Sequence, residues 1–324
     1  MINMKIHLPN SAFLGNIDAF LRSFDMSDPT KLEITANKKW ISIHPLVLAM
    51  VAALGSSVSP ENIDFEKLEA KSKHYIERMG LFKMLGLESG ITMIEHEPAG
   101  RFVPLAKITN TAELSSIITE IVPLLHLSPA QAEPIKYILS ELVRNVFEHS
   151  LAKDGAFMCA QYYANSSTIR IGIVDTGVGI KKTIDASYST GSDLEAIRLA
   201  LTPGITGTTK RIGGTEYNAG AGLFFIKSIA KVSRNFFVIY SGNAMYKLLR
   251  SSRATKNIRL YSDPFDDRHS ICNDLPSWRG TAVGIDIALE PRQEFSLLLD
   301  HIRKIYMNAI SEQKKSRYRK ARFI

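Results

Sequence analysis

The chain has 324 residues, 45% hydrophobic and 22% charged, which excludes a disordered or fibrous chain and makes two domains the natural expectation. Its formal net charge of +8 is concentrated beyond residue 302, where Arg303, Lys304, Lys314, Lys315, Arg317, Arg319, Lys320 and Arg322 face one acid, Glu312. The basic balance therefore describes a C-terminal segment, which reads as a solvated terminus, with a contact to nucleic acid or another acidic partner as the alternative. Two cysteines, Cys159 and Cys272, exclude a disulfide framework and a cysteine-built zinc site. The start, Met1-Ile2-Asn3-Met4-Lys5, lacks the build of a signal peptide, and the apolar run Pro45 to Leu54 is too short to span a bilayer. No membrane contact and a cytoplasmic location are expected.

Residues 1–105 read as a small α/β domain. Lys5 to Leu8 is a strand, Asn16 to Phe24 a helix, Leu32 to Thr35 an alternating strand, and Trp40 to Ile43 a further strand candidate. His44 to Leu54 is apolar on nearly every side and reads as a buried helix. Phe65 to Leu87 reads as one helix, with Tyr75, Met79, Phe82 and Met84 towards its apolar side. His44 and His74 lack ligand-type spacing and read as structural. This β-α-β-α order, ending in Tyr75-Ile76-Glu77-Arg78-Met79-Gly80-Leu81, resembles STAS-like regulatory domains.

Pro98-Ala99-Gly100-Arg101 and Pro104 mark a boundary, after which 106–291 read as a second domain and 292–324 as a helix with a basic tail. An amphipathic helix from Thr111 to Leu127 stops at Ser128-Pro129. In the next helix, Ser140 to Ser150, Glu141, Asn145 and His149 recur every fourth residue and stack on one face, beside the apolar stripe Ile138, Leu142, Val146. Alone, that polar face is an ordinary solvated one. Gly155 to Ala164 is a strand. In the next strand Ile169, Ile171, Ile173 and Asp175 share a parity, so Asp175 follows apolar residues onto one face and needs a donor there. Between Ile180 and Asn218, Asp193 to Leu201 is helical and Thr202 to Gly214 is rich in glycine and threonine. Gly220-Ala221-Gly222-Leu223 then opens an apolar helix, where glycines let a phosphate approach free backbone N–H groups. Strands follow near Phe236 to Ser241, Ala244 to Leu249, Asn257 to Tyr261 and Thr281 to Leu289, with Asp263 to Pro276 irregular. Thr281 shares a face with Val283, Ile285 and Ile287. Gln293 to Ile310 is a terminal helix.

Three ordered segments resemble the ATP-binding domain of the GHKL superfamily (gyrase, Hsp90, histidine kinase, MutL): Glu141-x-x-x-Asn145 its N box, Asp175-x-Gly177-x-Gly179 its first glycine box, Gly220-x-Gly222-Leu223 its second. The resemblance covers roughly Thr111 to Glu290. It implies a Bergerat-type α+β sandwich, with a mixed sheet and helices on one face, preceded by the small α/β domain. It further implies ATP and Mg²⁺ as cofactors. Asn145 would coordinate Mg²⁺, Glu141 would act as general base, and Asp175 would accept from the adenine amino group. Gly177 and Gly179 would turn against the base, and Gly220, Gly222 and Leu223 would face the phosphates. Thr281 would assist Asp175, the segment around Thr206 to Gly214 would be the lid, and Lys210 or Arg211 would neutralise phosphate. No Gly-x-x-x-x-Gly-Lys-Ser/Thr is present, which excludes a P-loop.

The pattern is most similar to anti-sigma-factor serine kinases, which often carry a histidine at the position of His149 and whose usual partners are STAS domains. A regulatory protein kinase or ATPase with a protein partner is the first expectation. The alternative is a nucleotide-gated switch like MutL or Hsp90, with self-association through the N-terminal half. A histidine kinase ranks lowest, because His126 precedes Ser128-Pro129 at a helix end rather than on a long hairpin.

Overall fold

A computed structural model of the chain describes residues 3–23, 30–92, 102–121, 125, 127–213, 220–252, 258–289 and 295–319. The boundary signal 98–101, His126, Asn218 with Ala219, and residues 320–324 of the basic segment lie outside these. The architecture is mixed α/β on two sheets. The first is a parallel sheet in the order β1 (Asn3–Leu8), β2 (Lys31–Ala36), β3 (Ile63–Phe65). Its helices are α1 (Asp18–Leu21), α2 (Pro45–Gly55), α3 (Lys73–Arg78) and α4 (Leu81–Leu85). The second sheet has seven strands: β4 (Phe102–Ile108), β5 (Ala156–Tyr163), β6 (Thr168–Val174), β7 (Phe237–Gly242), β8 (Ala244–Leu248), β9 (His269–Cys272) and β10 (Trp278–Ala288). Their spatial order is β4-β5-β6-β10-β7-β8-β9 and every pairing is antiparallel. Its helices are α5 (Thr111–Ser116), α6 (Pro129–Asn145), α7 (Gly179–Asp185), α8 (Asp193–Ala200), α9 (Gly222–Val232) and α10 (Phe295–Arg319).

Strand alternation divides the large sheet. Ile169, Ile171 and Ile173 of β6 and Val283, Ile285 and Ile287 of β10 bury against α6, α9 and α10. Phe157, Cys159, Val174, Tyr240 and Ala282 point the other way and share one core with the N-terminal unit. Every residue of α2 is buried, because this helix packs on β5, β6 and β10 of that sheet and shares one core with the rest of the N-terminal unit. Its seat is a pair of glycines in register, Gly172 on β6 and Gly284 on β10. A Cβ on Gly172 would lie 2.3 Å from the Leu46 nitrogen, and one on Gly284 2.8 Å from the Leu46 side chain. The close approach of the helix backbone to the sheet therefore requires Gly172, while Gly284 leaves room for the Leu14 and Leu46 side chains. Buried His44 caps α2: its Nδ1 accepts from the Leu46 N–H at 3.0 Å and its Nε2 donates to Asp286 at 3.0 Å. Burial lowers its pKa and outweighs the raising by Asp286, so the imidazole is neutral.

The structure corrects several expectations. The large sheet is antiparallel rather than mixed, with parallel pairing confined to the N-terminal unit, and it is covered on both faces. The boundary read at 105/106 falls inside β4. Phe65 to Leu87 is broken, because Gly80 and Gly86 sit at φ 78° and 71° and end α3 and α4. Asn16 to Phe24 shrinks to α1, and Ile43 makes only an isolated bridge to Ala12. Residues 258–261 form no strand. β9 lies in the segment read as irregular; it is a short, half-exposed edge strand with little apolar signal. Ser128-Pro129 opens α6 with a capping box through Gln131 rather than only ending the helix before it. The terminal helix read over Gln293 to Ile310 runs on as α10 to Arg319, and its Arg303, Lys304, Lys314 and Lys315 are exposed. Ile302, Tyr306, Ala309 and Ile310 recur on one buried face of it, and Tyr306 packs 6.3 and 5.9 Å from the rings of Phe224 and Phe225.

Candidate functional site

A cavity of about 270 Å³ opens on the helical face, bounded by α6, α7, the start of α9 and the ends of β6 and β10. Glu141, Asn145, His149, Asp175, Gly179, Gly220, Gly222, Leu223 and Thr281 all line it. Three sequence candidates do not: Gly177 backs onto the end of α6, and Lys210 and Arg211 are exposed outside the lining.

The stripe Glu141, Asn145, His149 reaches the cavity as helical spacing requires, although α6 widens into a π-helical turn over Val146–Ser150 and ends at Leu151 with φ 53°. The glycine turn after β6 closes on this end. The Val178 N–H donates to the Ser150 carbonyl at 2.7 Å, and a Cβ on Gly177 would lie 2.0 Å from that carbonyl oxygen. Gly177 thus joins the turn to the helix rather than facing a ligand. Gly179 has φ 77° and faces the Ser241 hydroxyl and the Gly280 carbonyl.

Asp175 is held at both ends of its backbone. Its N–H donates to the Thr281 carbonyl at 2.9 Å, and its carbonyl accepts from the Trp278 indole at 3.2 Å. Gly280 permits this, since a Cβ there would meet the Asp175 carbonyl oxygen at 2.2 Å. The carboxylate is 3% exposed, and Oδ1 accepts from the Gly177 N–H at 2.8 Å. Burial raises its pKa to about 6, against the lowering by the backbone N–H groups of Gly177 and Thr281. Among the described residues no cation forms a salt bridge with it, so this is a desolvated acceptor lining a cavity.

At the other side, α9 starts at Gly222 with no side-chain cap from Ala221, and Ala221, Gly222 and Leu223 line the cavity. A Cβ on Gly222 would lie 2.7 Å from Oε2 of Glu141 and 3.7 Å from Nδ2 of Asn145. That glycine lets the helix start meet the α6 polar stripe. Burial raises the Glu141 pKa, while Arg144 opposes the rise and Glu148 adds to it. Arg144 donates to Glu141 Oε2 at 2.6 Å. Burial lowers the His149 pKa. The segment after α8 runs behind this end: the Gly204 N–H donates to the Gly220 carbonyl at 3.1 Å, and a Cβ on Gly204 would lie 2.9 Å from Ile310 of α10. Gln313 of α10 also donates to the Pro203 carbonyl at 3.3 Å.

Sequence reasoning missed Tyr137, Arg144, Glu148 and Thr183 of the lining, while Thr206 and Gly207 reach it from the segment read as a lid. Tyr137 extends the stripe one turn back from Glu141, and Arg144 lies three residues after it, so helical spacing carried both signals. Among the described residues no group of three or more His, Cys, Asp or Glu is placed to hold a metal. A cation here would take the Asn145 amide oxygen and ligand oxygens, a donor set that suits Mg²⁺, which keeps several waters. No described helix is long and apolar enough to cross a membrane. The chain matches no protein-family model, and a search of curated proteins finds no match.

Proposed function

We propose that this chain is a Mg²⁺-dependent ATP-binding protein of the GHKL type, with a Bergerat-like site, acting as a regulatory protein kinase or ATPase. One observation carries the reading. A buried carboxylate, Asp175, and the glycine-rich start of α9, Gly220 to Leu223, line the same cavity as Glu141 and Asn145. An ionised Asp175 accepts a hydrogen bond from an exocyclic amino group and disfavours a carbonyl at that place, which selects adenine over guanine. The α9 start offers N–H groups to phosphates. Mg²⁺ held by Asn145 would neutralise phosphate charge when bound. Glu141 then accepts the proton of the attacking hydroxyl or water as its oxygen bonds to the γ-phosphorus and the bond to the β–γ bridging oxygen breaks. Glu141 is 14% exposed and within reach of the helix start, which suits that role.

A nucleotide-gated switch is the second reading. It is favoured by the contacts of α10 with Pro203 and Gly204, which link the cavity's wall to the C-terminal helix. Single-turnover ATP consumption, with candidate protein acceptors present, tests the choice. Glu141→Ala is expected to bind ATP as the parent does and to turn it over about 10²–10⁴-fold more slowly. Equal turnover in both proteins, or none in the parent, removes the enzyme reading and leaves the switch.

A further inference from the structure

The walls of the cavity are acidic. Glu141, Glu148 and Asp175 line it, and Arg144 is the one Lys or Arg among the described lining residues. A polyphosphate entering this space meets three carboxyl groups, and unlike charges at contact distance decide whether it stays. Arg144 has the geometry to be shared. It donates to Glu141 at 2.6 Å, its Nε lies 3.7 Å from Glu148, and its side chain is 52% exposed, so it is anchored at one end and open at the other. Glu141 in turn stands at the Gly222 start of α9, where phosphates would be cradled. A phosphate chain placed there comes within reach of the same guanidinium.

Resting on the ATP reading above, we propose that Arg144 is a specificity-determining residue that exchanges Glu141 for the ligand's distal phosphates. In the empty cavity the guanidinium neutralises Glu141. With a polyphosphate bound, it turns its planar fork to phosphate oxygens and leaves the Glu141 carboxylate free. Glu148, one turn further along, stabilises the turned position. Arg144 therefore distinguishes ligands by the number of phosphates and has no part in reading the base, which sits at Asp175.

The test compares equilibrium affinities of ATP, ADP and adenosine for the full chain and for Arg144→Gln and Arg144→Lys, with Mg²⁺ at constant pH. Arg144→Gln is expected to weaken ATP about tenfold or more, the size of a lost charge-assisted bond, while adenosine changes by less than about twofold. Arg144→Lys keeps the charge without the fork and should recover part of the loss for ATP alone. Unchanged ATP affinity in Arg144→Gln overturns the proposal. So does an equal loss for ATP and adenosine, which would mark Arg144 as scaffold. If the parent itself binds neither ATP nor adenosine, the ATP reading fails first, and this proposal with it.

Discussion

The two faces of the seven-stranded sheet are built to opposite rules. On the face towards the N-terminal unit, a helix with no exposed residue sits on paired glycines, and its one buried titratable group, His44, has both ring nitrogens bonded. On the helical face, the same strands β6 and β10 end in Asp175 and Thr281 beside a cavity. There a carboxylate is buried with no salt bridge among the described residues, a helix begins with no side-chain cap from Ala221, and a glutamate occupies the space a Cβ on Gly222 would need. Tight packing of backbone on backbone characterises stability, whereas a desolvated carboxylate beside a space characterises a site. The comparison also bears on domain organisation. The N-terminal unit and the sheet share one core, so the unit is a structural partner of the site whatever else it does.

The comparison breaks most visibly at the glycine seat. Gly172→Val places methyl groups where the Leu46 backbone lies, 2.3 Å from a Cβ. A loss of about 3 kcal/mol or outright misfolding is expected, read as the urea midpoint, because backbone on backbone cannot give way. A near-parental midpoint would show that α2 can lift off the sheet.

A smaller effect is expected at His44→Ala on the same face. It uncaps α2 and leaves Asp286, 5% exposed, without its 3.0 Å donor. About 2 kcal/mol should be lost, with Arg170, 3.7 Å from Asp286, limiting the damage. Loss of nucleotide affinity with unchanged stability would contradict the division between faces.

The helical face should answer in the reverse sense. Gly222→Ala introduces a methyl whose one close contact is the flexible end of Glu141, with Asn145 at ordinary contact distance, so stability should change by less than about 1 kcal/mol. Turnover should nevertheless fall by about 10²-fold, because the displaced carboxylate leaves its place. A Tm scan and single-turnover rates on one preparation separate the two effects.

Asp175 sharpens the contrast through pH. Its folded pKa, about 6, lies above the ordinary 3.8, so the folded state binds the extra proton. The ionised carboxylate therefore destabilises the fold above pH 6, and that cost disappears as pH falls through 6 towards 4. Asp175→Asn should be more stable than the parent by about 1–2 kcal/mol at pH 8, with the gap closing by pH 4. A variant less stable than the parent at pH 8 would show that the carboxylate is structural.

Much of this division was legible in the chain. Period-two alternation put Asp175 in phase with Ile173 and Thr281 in phase with Val283, and all four line the cavity. Period-four spacing brought Glu141, Asn145 and His149 to the same place. What local patterning could not show was where the back of the sheet goes. Gly172 and Gly284 look like weak strand positions until their register across β6 and β10 makes them a seat. Nor does a row of basic residues reveal that Tyr306 and Ile310 bind its helix to α9 and Gly204, since that partner face is distant in sequence. Arg144 was visible as a spacing but not as a partner of Glu141, because a rotamer decides that.

The most direct measurement is the ATP affinity of the parent and of folded Asp175→Asn, in Mg²⁺ at pH 8. The account predicts that the parent binds ATP in preference to GTP and that Asp175→Asn weakens ATP about tenfold or more while melting at a higher temperature. Unchanged ATP affinity in the variant, or a parent that binds no adenine nucleotide, would contradict it.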